Sequence, residues 1–197
     1  MERTISGMMG KGSVNHNTRA FSAKNVDKER SRDNVDFCHE DIKAVYHELF
    51  DEALERYNAK QKRSDRKIEN YYEKIRQGKQ EKLFYEVIFQ IGNRDDMNVR
   101  SEEGQLAKQI LSDFMADFQS RNPNLHVFSA HLHMDEETPH IHIDFVPVIT
   151  GSKRGLDTRV SLKGALAEQG FEGGTRGATE WNPVSYTHLT LPTKLEV

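Results

Sequence analysis

The sequence has a single cysteine, no long apolar run and no excess of positive charge. Cys38 is the only cysteine among 197 residues, so an internal disulfide is excluded, which fits a reducing cytoplasm. No apolar run approaches the roughly 20 residues that span a bilayer, and the opening MERTISGMMGKG lacks the apolar segment of a signal peptide. We therefore expect a cytoplasmic protein without membrane insertion, and this length predicts one principal domain.

The formal net charge of -3 excludes a surface that is positive throughout. Contact with a nucleic acid then depends on local basic stretches, one near the N-terminus and one between residues 58 and 82. The second stretch, taken alone, is typical of a solvated helix face with ion pairs four residues apart. The candidate residues for contact with DNA in these stretches are Lys11, Arg19, Lys24, Arg30, Arg32, Lys60, Arg63 and Lys67.

Apolar spacing predicts three main helices and a short one. Between Asp41 and Tyr57 apolar residues recur at three- and four-residue steps, which marks one buried helix face. A second helix is predicted from Ser64 to Gln77, and a third begins after the good N-cap residue Ser101. The short helix covers residues 161–169. The predicted buried side of the third helix consists of Leu106, Ile110, Phe114 and Phe118.

Alternating apolar residues predict the strands. Residues 83–91 are apolar on one face and partly apolar on the other, as in a central strand. Residues 125–133 and 140–148 read as an antiparallel hairpin, and a weaker strand lies at residues 4–9. This order of elements predicts an α+β fold, a mostly antiparallel β-sheet with helices packed on it.

The stretch HLHMDEETPHIHIDF, residues 131–145, concentrates imidazoles and carboxylates. His140 and His142 project from the same face of a strand, with Cα atoms about 6.6 Å apart. A turn at residues 135–138 brings His133 opposite or nearly opposite His140. Three neutral imidazoles on one face form an open divalent-metal site. The pattern His-x-His alone is also found in metallohydrolases and cupin-type sites.

The neighbouring polar residues have several available roles. Asp135 and Glu136 are each able to add a ligand, orient a histidine or act as a general base. His131 shares the face of His133; it is left out of the ligand set, and it is expected to support a ligand, to contact DNA or to be an incidental polar residue. His126, by alternation, is expected on the opposite face of the sheet.

Near the N-terminus the polar loop SVNHNTRAF contains the motif His16-Asn17-x-Arg19. Together with His133-x-Asp135-Glu136-x-Thr138-Pro139-His140-x-His142, it resembles the mobilisation relaxases of the MobV type (Mob/Pre, plasmid recombination) of the HUH endonuclease class. The resemblance extends over roughly residues 1 to 181. The segment RSRDNVDF departs from it, since Asp33, Asn34 and Val35 stand where a histidine-leucine-asparagine stretch is expected.

The resemblance implies metal-dependent nicking and strand transfer of DNA at a plasmid transfer origin. His16 would be the nucleophile, forming a phosphoramidate to the DNA 5′ end. Glu136 would accept or orient its proton, and Arg19 would grip a flanking phosphate.

The implied cofactor is a divalent ion, Mn²⁺ or Mg²⁺, held by His133, His140 and His142. The implied partners are single-stranded and hairpin DNA of the transfer origin, with the conjugation coupling machinery as a further candidate. The relaxase domain is expected at residues 1–182, shortened at its C-terminal end. Residues 183–197 match no earlier pattern and are predicted to be a gene-model or adapter artefact.

Three other interpretations stay open. A rolling-circle replication initiator or transposase of the HUH class would use a helical tyrosine, Tyr71 or Tyr72, as nucleophile. A non-catalytic DNA-binding module would hold a structural metal in a closed site. A metallohydrolase acting on a small substrate would need neither the basic stretches nor the N-terminal motif.

Overall fold

A β-sheet in which every strand pair is antiparallel lies at the centre of the computed structural model, which describes residues 5–21 and 23–171. The strands are β1 (Ile5–Met9), β2 (Val35–His39), β3 (Tyr85–Ile91), β4 (Leu125–His133), β5 (His140–Ile149) and β6 (Arg159–Val160). Their order is β1-β3-β5-β4-β2, with β6 paired to β5. The predicted α+β fold with a mostly antiparallel sheet is confirmed.

Helices cover both faces of this sheet. They are α1 (Val14–Asn17), α2 (Ile42–Ala59), α3 (Tyr71–Gln77), α4 (Glu102–Arg121) and α5 (Leu162–Glu168). On one face α4 and α5 pack into a core around Phe89 and Phe114. On the other face α2 and α3 pack around Phe50 and Phe128. Because both faces are covered, the interior strands are apolar on both sides wherever no functional residue stands.

Most predicted helices and strands are confirmed. In α4 the predicted N-cap is present. The Ser101 hydroxyl accepts a hydrogen bond from the Gly104 backbone N–H at 3.1 Å, as an N-cap residue does. One detail of this helix is corrected. Leu106 is 39% exposed, since the buried face runs through Ala107 and Leu111 instead.

The predicted helix from Ser64 to Gln77 is wrong in its first half. The Asn58 side-chain amide donates to the Ile68 backbone oxygen at 2.8 Å and accepts from the Ile68 N–H at 2.9 Å. This pair satisfies both backbone groups of Ile68 outside a helix, so only a 3-10 turn forms at Ser64–Arg66. The Asn70 side chain then caps α3, which begins at Tyr71.

The β4–β5 hairpin sets the positions of the clustered histidines. His133 pairs with His140 and His131 pairs with His142, so all four lie on one face. The expectation for His126 is wrong, because a β-bulge between Val127 and Ser129 shifts the alternation. His126 therefore pairs with Val146 on the same face as the other histidines, farther along the sheet.

Among the described residues, none of the helices has the length and apolarity needed to cross a bilayer. Residues 172–197, which include the expected end of the domain and the tail at 183–197, lie outside the described part of the chain.

Candidate metal and catalytic site

Four histidines converge at the end of the β4–β5 hairpin. The ring centroids of His133, His140 and His142 lie 4.8 to 5.2 Å apart. His16, carried by α1, lies 5.8 Å from His133 and 5.7 Å from His142 between ring centroids. The structure thus brings the N-terminal motif and the hairpin motif into one cluster, although more than 110 residues separate them along the chain.

Each of the three predicted ligands, His133, His140 and His142, has one ring nitrogen hydrogen-bonded to an oxygen acceptor. His133 Nε2 contacts the Asn17 backbone oxygen at 2.8 Å, and His140 Nδ1 contacts that of Thr138 at 2.8 Å. His142 Nδ1 contacts Glu86 Oε1 at 2.7 Å. Because an oxygen of this kind accepts, these ring nitrogens carry the proton and the opposite nitrogens carry a lone pair.

The lone-pair nitrogens fit a metal ion. Within the described chain, buried His133 Nδ1 and His142 Nε2 have no hydrogen-bond partner, and a buried polar atom without a partner is costly. Burial, with the nearby His142, lowers the pKa of His133 to about 2 and also lowers the pKa of His140. Neutral imidazoles held by oxygen acceptors are the usual ligands of a divalent ion.

Two overlapping groups place all their ligand atoms within 4.8 Å of one another. One consists of His16, His133 and His142, and the other of His133, Glu136 and His140. Both contain His133, but the three predicted ligands are divided between them, since His142 belongs to the first group and His140 to the second. Glu136 and His16 are the further donors that the two groups add to the predicted set.

His16 is the accessible histidine of the cluster. Its side chain is 26% exposed, and its Nε2 lies 3.6 Å from Glu136 Oε1. Arg19 Nη1 lies 3.4 Å from the same nitrogen. Burial and the positive charge of Arg19 lower the pKa of His16, so the ring is neutral and nucleophilic at neutral pH.

Asn17 attaches the N-terminal motif to the sheet. Its buried side-chain N–H group donates to Glu86 Oε1 at 2.8 Å and to Asp144 Oδ2 at 2.9 Å. Its backbone oxygen is the acceptor for His133. Replacing this amide would therefore disturb both the position of α1 and the orientation of a candidate ligand.

Glu86 and Asp144 are site residues that the sequence did not assign. Burial alone would raise the pKa of Glu86, but hydrogen bonds from His142 and the Gly12 N–H outweigh it and lower the pKa to about 2. Burial raises the pKa of Asp144 to about 7, with the neighbouring Glu86 charge adding to the effect. The only sequence signal for Glu86 was its position on the polar side of an otherwise apolar strand.

Arg19 is held by carboxylates. It has a positive φ of 58°, and its Nε donates to Asp135 Oδ2 at 2.9 Å. Its Nη2 donates to Glu136 Oε1 at 2.9 Å and its Nη1 to the His16 backbone oxygen at 3.1 Å. Nη2 also donates to Asp135 Oδ1, so each N–H group of the guanidinium faces an acceptor on Asp135, Glu136 or His16. The predicted phosphate contact would therefore have to replace one of these contacts.

Asp135 is fully buried and orients Arg19. It also accepts hydrogen bonds from the Ser31 hydroxyl and the Asn34 amide, each at 2.8 Å. Burial alone would raise the pKa of Asp135, but the Arg19, Asn34 and Ser31 hydrogen bonds hold it well below its usual range. Asn34, in the segment that departs from the family pattern, thus supports the site.

His131 has both ring nitrogens engaged. Nδ1 contacts Asp36 Oδ1 at 2.6 Å and Nε2 contacts the Ser129 hydroxyl at 3.1 Å. It has no free lone pair for a metal, which agrees with its omission from the ligand set.

The predicted DNA-binding residues differ in accessibility. Arg30 is largely engaged, with Nε bonded to Asp27 at 2.8 Å and Nη1 to the Glu136 backbone oxygen at 3.0 Å. Arg63 is exposed but paired with Asp65. The remaining exposed candidates are Lys11, Lys24, Arg32, Lys60 and Lys67.

The candidate tyrosines belong to the α2–α3 core. Tyr71 is buried, and its hydroxyl accepts from the Val160 N–H at 3.2 Å. Burial raises the pKa of Tyr71. Tyr72 packs edge-on against Tyr46 with ring centroids 5.3 Å apart.

Comparison with known proteins gives one family and several solved structures. The sequence model of a family described as plasmid recombination enzyme (Mob_Pre) matches residues 9–168. A Mn-bound structure of the MobM relaxase domain (MOBV; Mob_Pre) with 22 nucleotides of plasmid pMV158 oriT DNA is 22% identical, with a TM-score of 0.46 over 81% of this chain and 75% of that one. A second structure of that domain, with a 3′-thiophosphate DNA, is 19% identical, with a TM-score of 0.41 over 95% of this chain and 100% of that one. No curated protein matches the chain.

Proposed function

The chain belongs to the plasmid recombination enzyme (Mob/Pre) family, and on this premise we propose that it is a mobilisation relaxase that nicks DNA at a plasmid transfer origin through His16. The observation that carries this proposal is the meeting of His16 with Glu136 and the hairpin histidines. An accessible, neutral imidazole next to a carboxylate and a metal-binding group is suited to attack a phosphodiester.

We assign the metal to His133, His140 and His142. Their lone-pair nitrogens are His133 Nδ1, His140 Nε2 and His142 Nε2, and their opposite nitrogens are fixed by oxygen acceptors. When bound there, Mn²⁺ or Mg²⁺ supplies positive charge to a non-bridging oxygen of the scissile phosphate.

The transfer step makes a nitrogen–phosphorus bond. A His16 ring nitrogen attacks the phosphorus, and the bond between phosphorus and the 3′ oxygen breaks. The imidazole loses its N–H proton to Glu136, and Glu136 passes that proton to the departing 3′ oxygen, which becomes a hydroxyl. The 5′ phosphate stays on His16 as a phosphoramidate, and attack by a 3′ hydroxyl reverses the step and rejoins the strand.

Arg19 helps to keep His16 in the neutral state that attack on phosphorus requires. Its guanidinium contacts Glu136 Oε1 at 2.9 Å and approaches His16 Nε2 at 3.4 Å. A positive charge there disfavours protonation of His16, so the imidazole is neutral before DNA binds.

Nicking of supercoiled plasmid DNA that carries a candidate transfer origin tests the proposal. With Mn²⁺ or Mg²⁺ present, we expect the unchanged chain to nick and His16→Ala to lose nicking. The matched control is His47→Ala, an exposed histidine of α2 paired with Asp51, which should nick normally. Nicking that survives His16→Ala but disappears in a Tyr71→Phe, Tyr72→Phe variant would contradict the proposal and favour a tyrosine enzyme.

A further inference from the structure

A groove with a volume of about 520 Å³ lies beside the histidine cluster. It runs between the turn after β1, the C-terminal end of α3 and the start of β3. Its volume is in the range of pockets that enclose a small-molecule ligand, roughly 300 to 1,000 Å³. Glu86 lines it and also bonds to His142, so the groove borders directly on the candidate metal site.

Three cations line this groove: Lys11, Arg76 and Lys82. Lys11 and Lys82 are exposed, and the Arg76 side chain is 56% exposed. Their charge is only partly balanced locally, because Arg76 pairs with Glu73 at 2.7 Å whereas the two lysines have no carboxylate within 4 Å among the described residues.

The two acids of the groove are committed to other contacts. Glu86 accepts from the Gly12 N–H at 2.7 Å as well as from Asn17 and His142. Glu81 accepts from the Tyr85 hydroxyl at 3.5 Å. These contacts leave the two negative charges in place, but Glu86 is buried and Glu81 is half-buried, whereas the three cations of the groove are exposed. The charge nearest the solvent is therefore mainly positive, which suits an anionic ligand.

Aromatic rings form part of the wall. Phe84 and Tyr85 both line the groove, and Lys82 Nζ lies 5.6 Å from the centroid of the Tyr85 ring. Cations that follow a phosphate chain beside aromatic rings are the combination that binds unpaired nucleic-acid strands.

Glycines allow the turn after β1 to pass directly over Glu86. A Cβ atom on Gly10 would lie 1.9 Å from Glu86 Oε2, and Gly12 has a φ of +75°. Between these two glycines stands Lys11, five residues before His16 in the chain. The same short segment therefore joins the basic rim to the candidate nucleophile.

We propose that this groove binds the unpaired DNA strand next to the scissile phosphate, with Lys11, Arg76 and Lys82 contacting its phosphates. The proposal rests on the proposed relaxase function and adds where the strand lies. It assigns a role to Arg76 and Lys82, which belong to a basic stretch that otherwise fits an ordinary solvated surface.

The test is the salt dependence of binding to a single-stranded oligonucleotide of the transfer origin, measured by fluorescence anisotropy. The variant is Lys11→Ala, Arg76→Ala, Lys82→Ala. The matched control, Lys153→Ala, Arg154→Ala, Lys163→Ala, removes three exposed cations that do not line the groove. Thermal melting confirms that both variants fold.

For a single strand each lost phosphate contact reduces the slope of log affinity against log salt concentration by about 0.7. The groove variant should therefore lose about 2 in slope, and the control should keep the slope of the unchanged chain. An unchanged slope in the groove variant, an equal loss in the control, or a loss seen only with duplex DNA would overturn the proposal.

The nicking assay separates this proposal from the one it rests on. If the unchanged chain nicks and the groove variant keeps its full slope, only the groove assignment fails. If the unchanged chain neither nicks nor binds the oligonucleotide, the relaxase proposal fails and the groove assignment fails with it.

Discussion

At the scale of single residues, oxygen acceptors determine which ring nitrogen of each predicted ligand is free to bind a metal ion. Backbone oxygens of Asn17 and Thr138 and the Glu86 carboxylate hold the three hairpin rings. A ligand set oriented in this way loses little freedom when an ion binds, so its affinity depends on these supporting contacts as well as on the ligands.

Asp135 gives the sharpest stability prediction. Asp135→Asn leaves the largely buried Arg19 guanidinium with Glu136 as its one remaining carboxylate partner among the described residues, and removing one partner of a buried ion pair costs about 3 to 5 kcal/mol. We expect the free energy of unfolding to fall by that amount at pH 7, measured by urea denaturation.

The fall in the free energy of unfolding caused by Asp135→Asn should become smaller at low pH. The folded-state pKa of Asp135 is below its ordinary value of 3.8, so its stabilising effect is present above pH 3.8 and is lost as the pH falls toward the folded-state pKa. The difference in free energy of unfolding between the unchanged chain and Asp135→Asn should therefore become smaller below pH 3.8. A difference that stays constant down to pH 2 would rule out this ion pair as the cause.

The position of His133, His140 and His142 on one face of the hairpin could be predicted from the sequence because strand alternation is local. Glu86 and Asn17 could not be assigned in the same way. Their contacts depend on β3 lying beside β5, where Glu86 pairs with Asp144 and Ile88 with His142. That neighbourhood brings together segments more than 50 residues apart, and no periodicity in a single sequence specifies it.

At the scale of elements, helices were predicted correctly where apolar residues recurred at helical spacing over many residues. The helices α2 and α4 have 18 and 20 residues, and apolar residues mark their buried sides. The start of α3 was missed because a side-chain amide from α2 holds Ile68. The edge strand β2, five residues in length, was not predicted, since its pairing partner β4 lies about 90 residues away.

The N-cap of α4 offers an element-scale test. Ser101→Ala removes the acceptor of the Gly104 N–H and should lower the free energy of unfolding by about 1 kcal/mol. The control is Ser112→Ala, in the middle of α4, where the hydroxyl donates to the Lys108 backbone oxygen at 2.8 Å and caps no helix end. Equal effects of the two substitutions on urea denaturation would show that the cap does not stabilise the helix.

At the scale of the whole molecule, the apolar core and the candidate site occupy different parts of the sheet. One face packs α4 and α5 over an apolar core. The other face is apolar only at the end covered by α2 and α3, and the rest of it presents the histidines and acids. The β4–β5 pairing brings the hairpin histidines together, and Asn17 attaches α1, which carries His16, to the sheet beside them.

Metal binding should stabilise the whole fold. Mn²⁺ at 100 times its dissociation constant should raise the free energy of unfolding by about 2.7 kcal/mol if it binds only the folded state. Chelation should reverse the effect, and His133→Ala should abolish it. His47→Ala is the control and should keep it. A rise of the same size in His133→Ala, seen in thermal denaturation, would place the ion elsewhere.

The central claim is that His16 becomes covalently bound to DNA. The most direct measurement is mass spectrometric mapping of the peptide that retains the 5′ phosphate after reaction with a transfer-origin oligonucleotide and Mn²⁺. The account predicts an acid-labile phosphoramidate on His16. An adduct on Tyr71, Tyr72 or any other residue, or nicking without an adduct, would contradict it.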